Sequence, residues 1–225
     1  REAWAVGVVP YHKKEALRVL FNILLADIES EYSRTEPSIA FRLGSADMPA
    51  TVFTASFQLR LLNTLYALPH GVLAMSQEIP GLVETSTNLA SVKMKNNELM
   101  VTTSQRSSVE SCKQDAANMV ESVMLLGGAS VAHSDGYPGW APNTQSEILQ
   151  IAVREYRKRF DIEPEVKAIH AGLECGLFLA KYPGLDMISI GPTIKGAHSP
   201  DERVLITSVK KYWEHLLDVL KAMPG

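Results

Sequence analysis

The Gly127-Gly128 pair separates two stretches of different hydrophobic rhythm, and that change limits the folds open to the chain more than any single motif. Before it, helical periods alternate with short apolar runs. Residues 13–32 carry Leu17, Leu20, Phe21, Leu24, Ile28 and Tyr32 at spacings of three and four, which predicts an amphipathic helix. Residues 54–68 repeat the pattern with Phe57, Leu61, Leu65 and Leu68, and Pro69-His70-Gly71 follows as a stop. Residues 109–126 form a third stripe ending at the glycine pair. Residues 4–9 and 38–43 read as strands. Residues 88–94 and 98–104 flank Lys95-Asn96-Asn97, whose asparagines suit a hairpin turn. Helices on one face of an antiparallel sheet, an α+β sandwich, accommodate this half.

After Gly128 the order becomes strand then helix. Residues 129–132, 165–169 and 186–190 read as strands, and residues 146–160, 173–181 and 204–220 as helices. Such alternation predicts βαβ units and a mainly parallel sheet. The domain boundary is expected near Gly127.

Charge and composition exclude several classes of function. The net charge is −3 with no long run of Lys or Arg, and no clustered basic face of the kind that non-specific nucleic-acid binding needs is visible. No apolar run approaches the roughly 18 residues of a membrane span. Cys112 and Cys175 are far apart and fit no disulfide framework. Residue 1 is Arg, a strand signal follows at once, and no leader pattern is visible. The expectations are a cytoplasmic protein and a sequence that begins partway through a longer one.

Two loops carry candidate chemistry. Gly196-Ala197-His198-Ser199-Pro200-Asp201-Glu202 precedes the final helix. Beyond a strand's carboxyl end its imidazole can ligate a metal, with Asp201 or Glu202 fixing the tautomer or capping the helix. A surface or capping histidine explains the same residues. His170-Ala-Gly-Leu-Glu-Cys-Gly176 should reach the same sheet edge; Gly172 permits close backbone approach to a ligand and Glu174 can meet a cation. Tight strand–helix packing is the other explanation for its glycines. Arg106, between a strand and the helix 109–126, offers a guanidinium fork for a carboxylate beside a helix N-terminus, or is a surface arginine. A catalytic zinc takes about three protein ligands, and no His-x-x-x-His or Cys-x-x-Cys pair supplies them.

These two loops, the opening Arg1-Glu-Ala-Trp-Ala-Val and the stretch Ser134-Asp-Gly-Tyr-Pro-Gly-Trp140 resemble the C-terminal signatures of bacterial aminoacyl-histidine (Xaa-His) dipeptidases, also called cytosolic non-specific dipeptidases. The resemblance runs along essentially the whole chain. It implies α/β and α+β architecture: residues 1–126 as the C-terminal part of a ferredoxin-like lid and dimerisation domain, and residues 127–225 as the C-terminal portion of a catalytic domain holding two zinc ions. It implies His198 as a zinc ligand and Arg106 as the lid arginine that grips the substrate's C-terminal carboxylate. Asn88 would face the substrate, and Gly172 and Glu174 would lie in a loop lining its pocket.

By the resemblance, the family's His-x-Asp motif, bridging Asp and Glu-Glu pair belong to its N-terminal half, whereas this chain is similar to the C-terminal part. No catalytic residue is therefore assigned in this chain, and the chain alone is expected to be inactive and not to hold zinc. The expected partners are a dipeptide, the missing N-terminal half of the same enzyme, and a second copy pairing through unpaired strand edges. A related zinc deacylase or carboxypeptidase, and a non-catalytic oligomerisation or ligand-binding module, are the alternatives.

Overall fold

The computed structural model describes residues 2–134, 136–140, 143, 145–167, 174–197 and 199–224. The chain packs as two units, Arg1–Leu61 and Leu62–Gly225.

In the first unit a 3-10 turn, Tyr11–Lys13, leads from Pro10 into α1 (Lys14–Tyr32). The predicted apolar stripe falls on this helix, yet no residue of α1 is buried. Residues 4–9 and 38–43, predicted as strands, pair with no neighbour among the described residues and are irregular. An apolar run reports a tendency toward burial, whereas a strand also needs a partner for its N–H and C=O groups. α2 (Ala55–Ala67) begins at Thr54, whose hydroxyl accepts from the Phe57 N–H at 3.3 Å.

The second unit contains an antiparallel sheet in the order β1 (Gly71–Met75), β2 (Val83–Lys95), β3 (Glu98–Ser107). The predicted hairpin is present. Lys95 pairs with Glu98, and Asn96 and Asn97 take φ of 51° and 62°, the left-handed pair that a two-residue turn needs to match strand twist. α3 (Glu110–Leu126) packs on β2 and β3 and buries Ala116 and Val120. Gly128, at φ 75°, ends it: the Gly128 N–H donates to Leu125 O at 2.9 Å and the Ala129 N–H to Met124 O at 3.0 Å. That is the paired closure of a Schellman end.

α4 (Glu147–Phe160) and α6 (Ile206–Ala222) form the other packed pair, around Ile151, Ala152 and Val219, with Ile148, Ile188 and Ala222 against them. The buried Ser146 hydroxyl caps α4, accepting from Leu149 N at 3.1 Å. Asp186 accepts from Ile148 N at 3.1 Å. Its carboxyl lies below the usual range, first because of the Ser146 hydroxyl and then, against some desolvation, because of the Ile148, Glu147 and Met187 N–H groups. Arg159 of α4 forms a two-point pair with Asp218 of α6.

The predicted parallel sheet is corrected here. Among the described residues, 129–132, 165–167 and 186–190 join no ladder and every ladder is antiparallel; residues 168 and 169 lie outside the described residues. α5 (Glu174–Lys181) follows, and a two-residue ladder, β4 (Ile194–Lys195) with β5 (Arg203–Val204), brackets the 196–202 loop that the sequence left as coil.

Candidate substrate-binding face

The β2–β3 register decides where the first two candidate residues stand. Arg106 pairs with Ser86 and Asn88 with Ser104, so Asn88 and Arg106 are diagonal neighbours. Side chains alternate between faces along a strand, and both residues fall on the exposed one. Diagonal partners of this kind lie roughly 7–8 Å apart.

The opposite face explains why the register holds. Thr85 and Thr87 are buried there. The Thr85 and Ser107 hydroxyls are 2.8 Å apart, and Gln105 Nε2 donates to Thr87 Oγ1 at 3.0 Å. A one-residue slip would carry these groups outward and turn Asn88 and Arg106 inward. His70 adds a clamp: its Nδ1 accepts from Leu89 N at 3.0 Å, beyond the last β1–β2 pair at Gly71 and Thr87.

Arg106 supplies five N–H donors in a planar fork, and Asn88 both a donor and an acceptor. Together they suit a carboxylate with an adjacent amide. The α3 N-terminus does not add an open anion site, because its first turn already carries Glu110.

His170, Gly172 and His198 lie outside the described residues. Glu174 is the first residue of α5. The Ser199 hydroxyl donates to Gly196 O at 2.7 Å and accepts from Asp201 N at 3.3 Å, and Gly196 has φ 67°. Neither Asp201 nor Glu202 caps α6: Leu205 stands at its N-cap position without a side-chain bond.

Among the described residues no group of three or more His, Cys, Asp or Glu side chains could hold a metal ion. A cavity of about 700 Å³ opens beside α4 and α6, lined by Trp140, Tyr156, Ile188, Lys211 and His215 among others; neither Asn88 nor Arg106 lines it. No helix among the described residues is long and apolar enough to cross a membrane.

Sequence reasoning missed Glu110 and Lys113. The Lys113 ammonium bonds the Glu110 carboxylate at 2.8 Å, and both also hold the backbone of the 137–139 loop. Their i, i+3 spacing at a helix start was the available signal.

No family model matches the chain. It is 38% identical over all 225 residues to the cytosol non-specific dipeptidase of Escherichia coli (strain K12), of which it spans 46%. Among solved structures, the aminoacylhistidine dipeptidase of Vibrio alginolyticus superposes with a TM-score of 0.82 at 38% identity, covering 96% of this chain and 44% of that one. The chain thus spans just under half the length of each. The fold is of the mixed α/β kind found in that dipeptidase. The resemblance to the aminoacyl-histidine and cytosol non-specific dipeptidases extends over the whole sequence and nearly all of the backbone.

Proposed function

We propose that these 225 residues are the C-terminal part of a cytoplasmic zinc dipeptidase that hydrolyses Xaa-His and other dipeptides. The observation that carries this reading is agreement along the whole chain, at 38% identity, with two proteins named as dipeptidases. In this reading residues 1–126 belong to a ferredoxin-like lid that also dimerises, and residues 127–225 to the catalytic domain. The remaining zinc ligands and the catalytic carboxylates lie in the half of the relatives' length that this chain does not span.

The chain's own residues then bind and orient. Arg106 receives the substrate's C-terminal carboxylate through its guanidinium fork, and Asn88 hydrogen-bonds the neighbouring amide. Gly172 and Glu174 line the pocket, and His198 is one zinc ligand. A clamp on the C-terminal carboxylate limits cleavage to the last peptide bond of a substrate, and restriction to dipeptides then requires a second contact at the substrate's amino end. The clamp also converts binding energy into orientation of the scissile bond.

The test compares substrates on the full-length protein. Hydrolysis of Xaa-His and other dipeptides, with little activity on N-acyl amino acids or on longer peptides, is the expected pattern. Preference for N-acyl amino acids or for longer peptides would replace the dipeptidase reading with that of a deacylase or carboxypeptidase.

A further inference from the structure

The contacts of the 137–139 loop join two parts of the candidate site that are far apart in sequence. Glu110 follows Arg106 by four residues, and Gly176 follows Glu174 by two. Between them, Gly139 N donates to Glu110 Oε2 at 3.0 Å, while Lys113 Nζ donates to the Tyr137 carbonyl at 2.8 Å and to the same Glu110 oxygen at 2.8 Å. One turn of α3 therefore grips the loop backbone at two points.

Both sides of the loop are packed backbone to backbone. A Cβ at Gly139 would lie 2.7 Å from the Ser108 carbonyl oxygen, and Ser108 N is itself bonded to Glu84 O of β2 at 3.2 Å. A Cβ at Gly176 would lie 2.5 Å from the Pro138 carbonyl oxygen. No side chain cushions either approach, so a displacement of the loop is passed directly to its neighbours. The Glu110 carboxyl is held below its usual range, by Lys113 first and then by Gly139 N–H, and remains an anion at neutral pH.

We propose that Glu110 and Lys113 are positioning residues which, through the 137–139 loop, set the spacing between the Arg106 end of the β2–β3 hairpin and the start of α5. The consequence for substrate rests on the dipeptidase reading above. In that reading Arg106 and the start of α5 serve one bound dipeptide, so the separation of these two elements decides whether both engage together. The contact also crosses the 126/127 boundary between lid and catalytic portions. Glu110 is exposed and Lys113 half-buried, so amide exchange across β2 and β3, unchanged if only the loop shifts, separates a displaced loop from a loosened fold.

The test uses the full-length protein with Glu110→Ala, Glu110→Gln and Lys113→Met, an Xaa-His dipeptide and its C-terminal amide. Glu110→Gln keeps an oxygen for the Gly139 N–H. In Glu110→Ala the ratio of kcat/KM for dipeptide over amide is expected to fall about tenfold, chiefly through KM. Lys113→Met should lower it in the same direction, and Glu110→Gln should stay within about threefold of wild type. Hydrogen exchange at Gly139 and in the first turn of α5 should quicken together in Glu110→Ala. An unchanged ratio in Glu110→Ala, or equal damage from Glu110→Gln, overturns the proposal. If the wild type hydrolyses no dipeptide, the dipeptidase reading fails by itself. Exchange then decides the spacer: joint loosening upholds it, and unchanged exchange in α5 overturns it.

Discussion

Asn88 and Arg106 stand diagonally across the β2–β3 ladder on its exposed face, because Asn88 pairs with Ser104 and Arg106 with Ser86. Eighteen residues separate them in the chain (106 minus 88). The turn at Asn96-Asn97 and the buried Thr85, Thr87, Gln105 and Ser107 contacts bring them together. A polar ladder on one face thus sets the geometry of the proposed substrate-binding pair on the other.

Arg106→Ala in the full-length protein should raise KM for dipeptides by about 30–100-fold, the loss of a charge-assisted two-point bond. Arg106→Lys keeps the charge without the fork and should fall between. Steady-state kinetics with the dipeptide and its amide check this; the amide should be nearly indifferent to both changes.

The hairpin turn offers a test of register. Asn97 holds φ of 62°, which a β-branched residue adopts only at a cost. Asn97→Val should destabilise the hairpin by about 1–2 kcal/mol, and Asn97→Gly should leave it intact or slightly firmer. Amide exchange across β2 and β3 reads the difference. A loosened register in Asn97→Val should also raise KM, because Asn88 and Arg106 depend on it.

Much of this was legible in the sequence, and the reason differs by element. Helix periods, the Asn-Asn turn and the glycine stop of α3 are written in local chemistry, and the structure places them within a few residues of expectation. The runs at 4–9, 129–132 and 186–190 and the alternating stretch 38–43 suit strands by local pattern, but pairing depends on distant chain, and among the described residues they join no ladder. Arg106 and Asn88 were each visible, whereas their common face was not, since it follows from register. Glu110 and Lys113 escaped notice because their loop partners Gly139 and Tyr137 lie 29 and 24 residues on.

Ser146→Ala should weaken the first turn of α4 by about 1 kcal/mol, the usual loss on removing an N-cap hydroxyl. It also takes the first hydrogen bond from Asp186, whose carboxyl should titrate closer to its ordinary range. Exchange of the Leu149 amide and the NMR titration of Asp186 measure the two effects.

His215 carries the pH dependence of the α4–α6 pair. It is buried, edge-on to Tyr156 at 5.2 Å, and its Nδ1 has no hydrogen-bond partner. Burial lowers its pKa, with Arg159 acting in the same direction and Asp218 and Glu155 opposing. Its folded pKa lies below the unfolded value, so the unfolded chain binds the proton more readily. Its contribution to stability is therefore full above the ordinary histidine value of 6.5 and is lost as pH falls below it. His215→Phe should remove that slope in a series of thermal unfolding measurements from pH 8 down to about 5; the slope surviving in the variant would assign it to other groups.

The most direct measurement of the central claim is zinc content and Xaa-His hydrolysis, determined side by side on the full-length protein and on these 225 residues alone. Bound zinc and turnover are expected in the first and neither in the second, on the proposal that His198 shares its zinc with ligands outside these residues. Stoichiometric zinc with sustained turnover by the 225 residues alone would contradict it, since the chain would then build a complete site of its own.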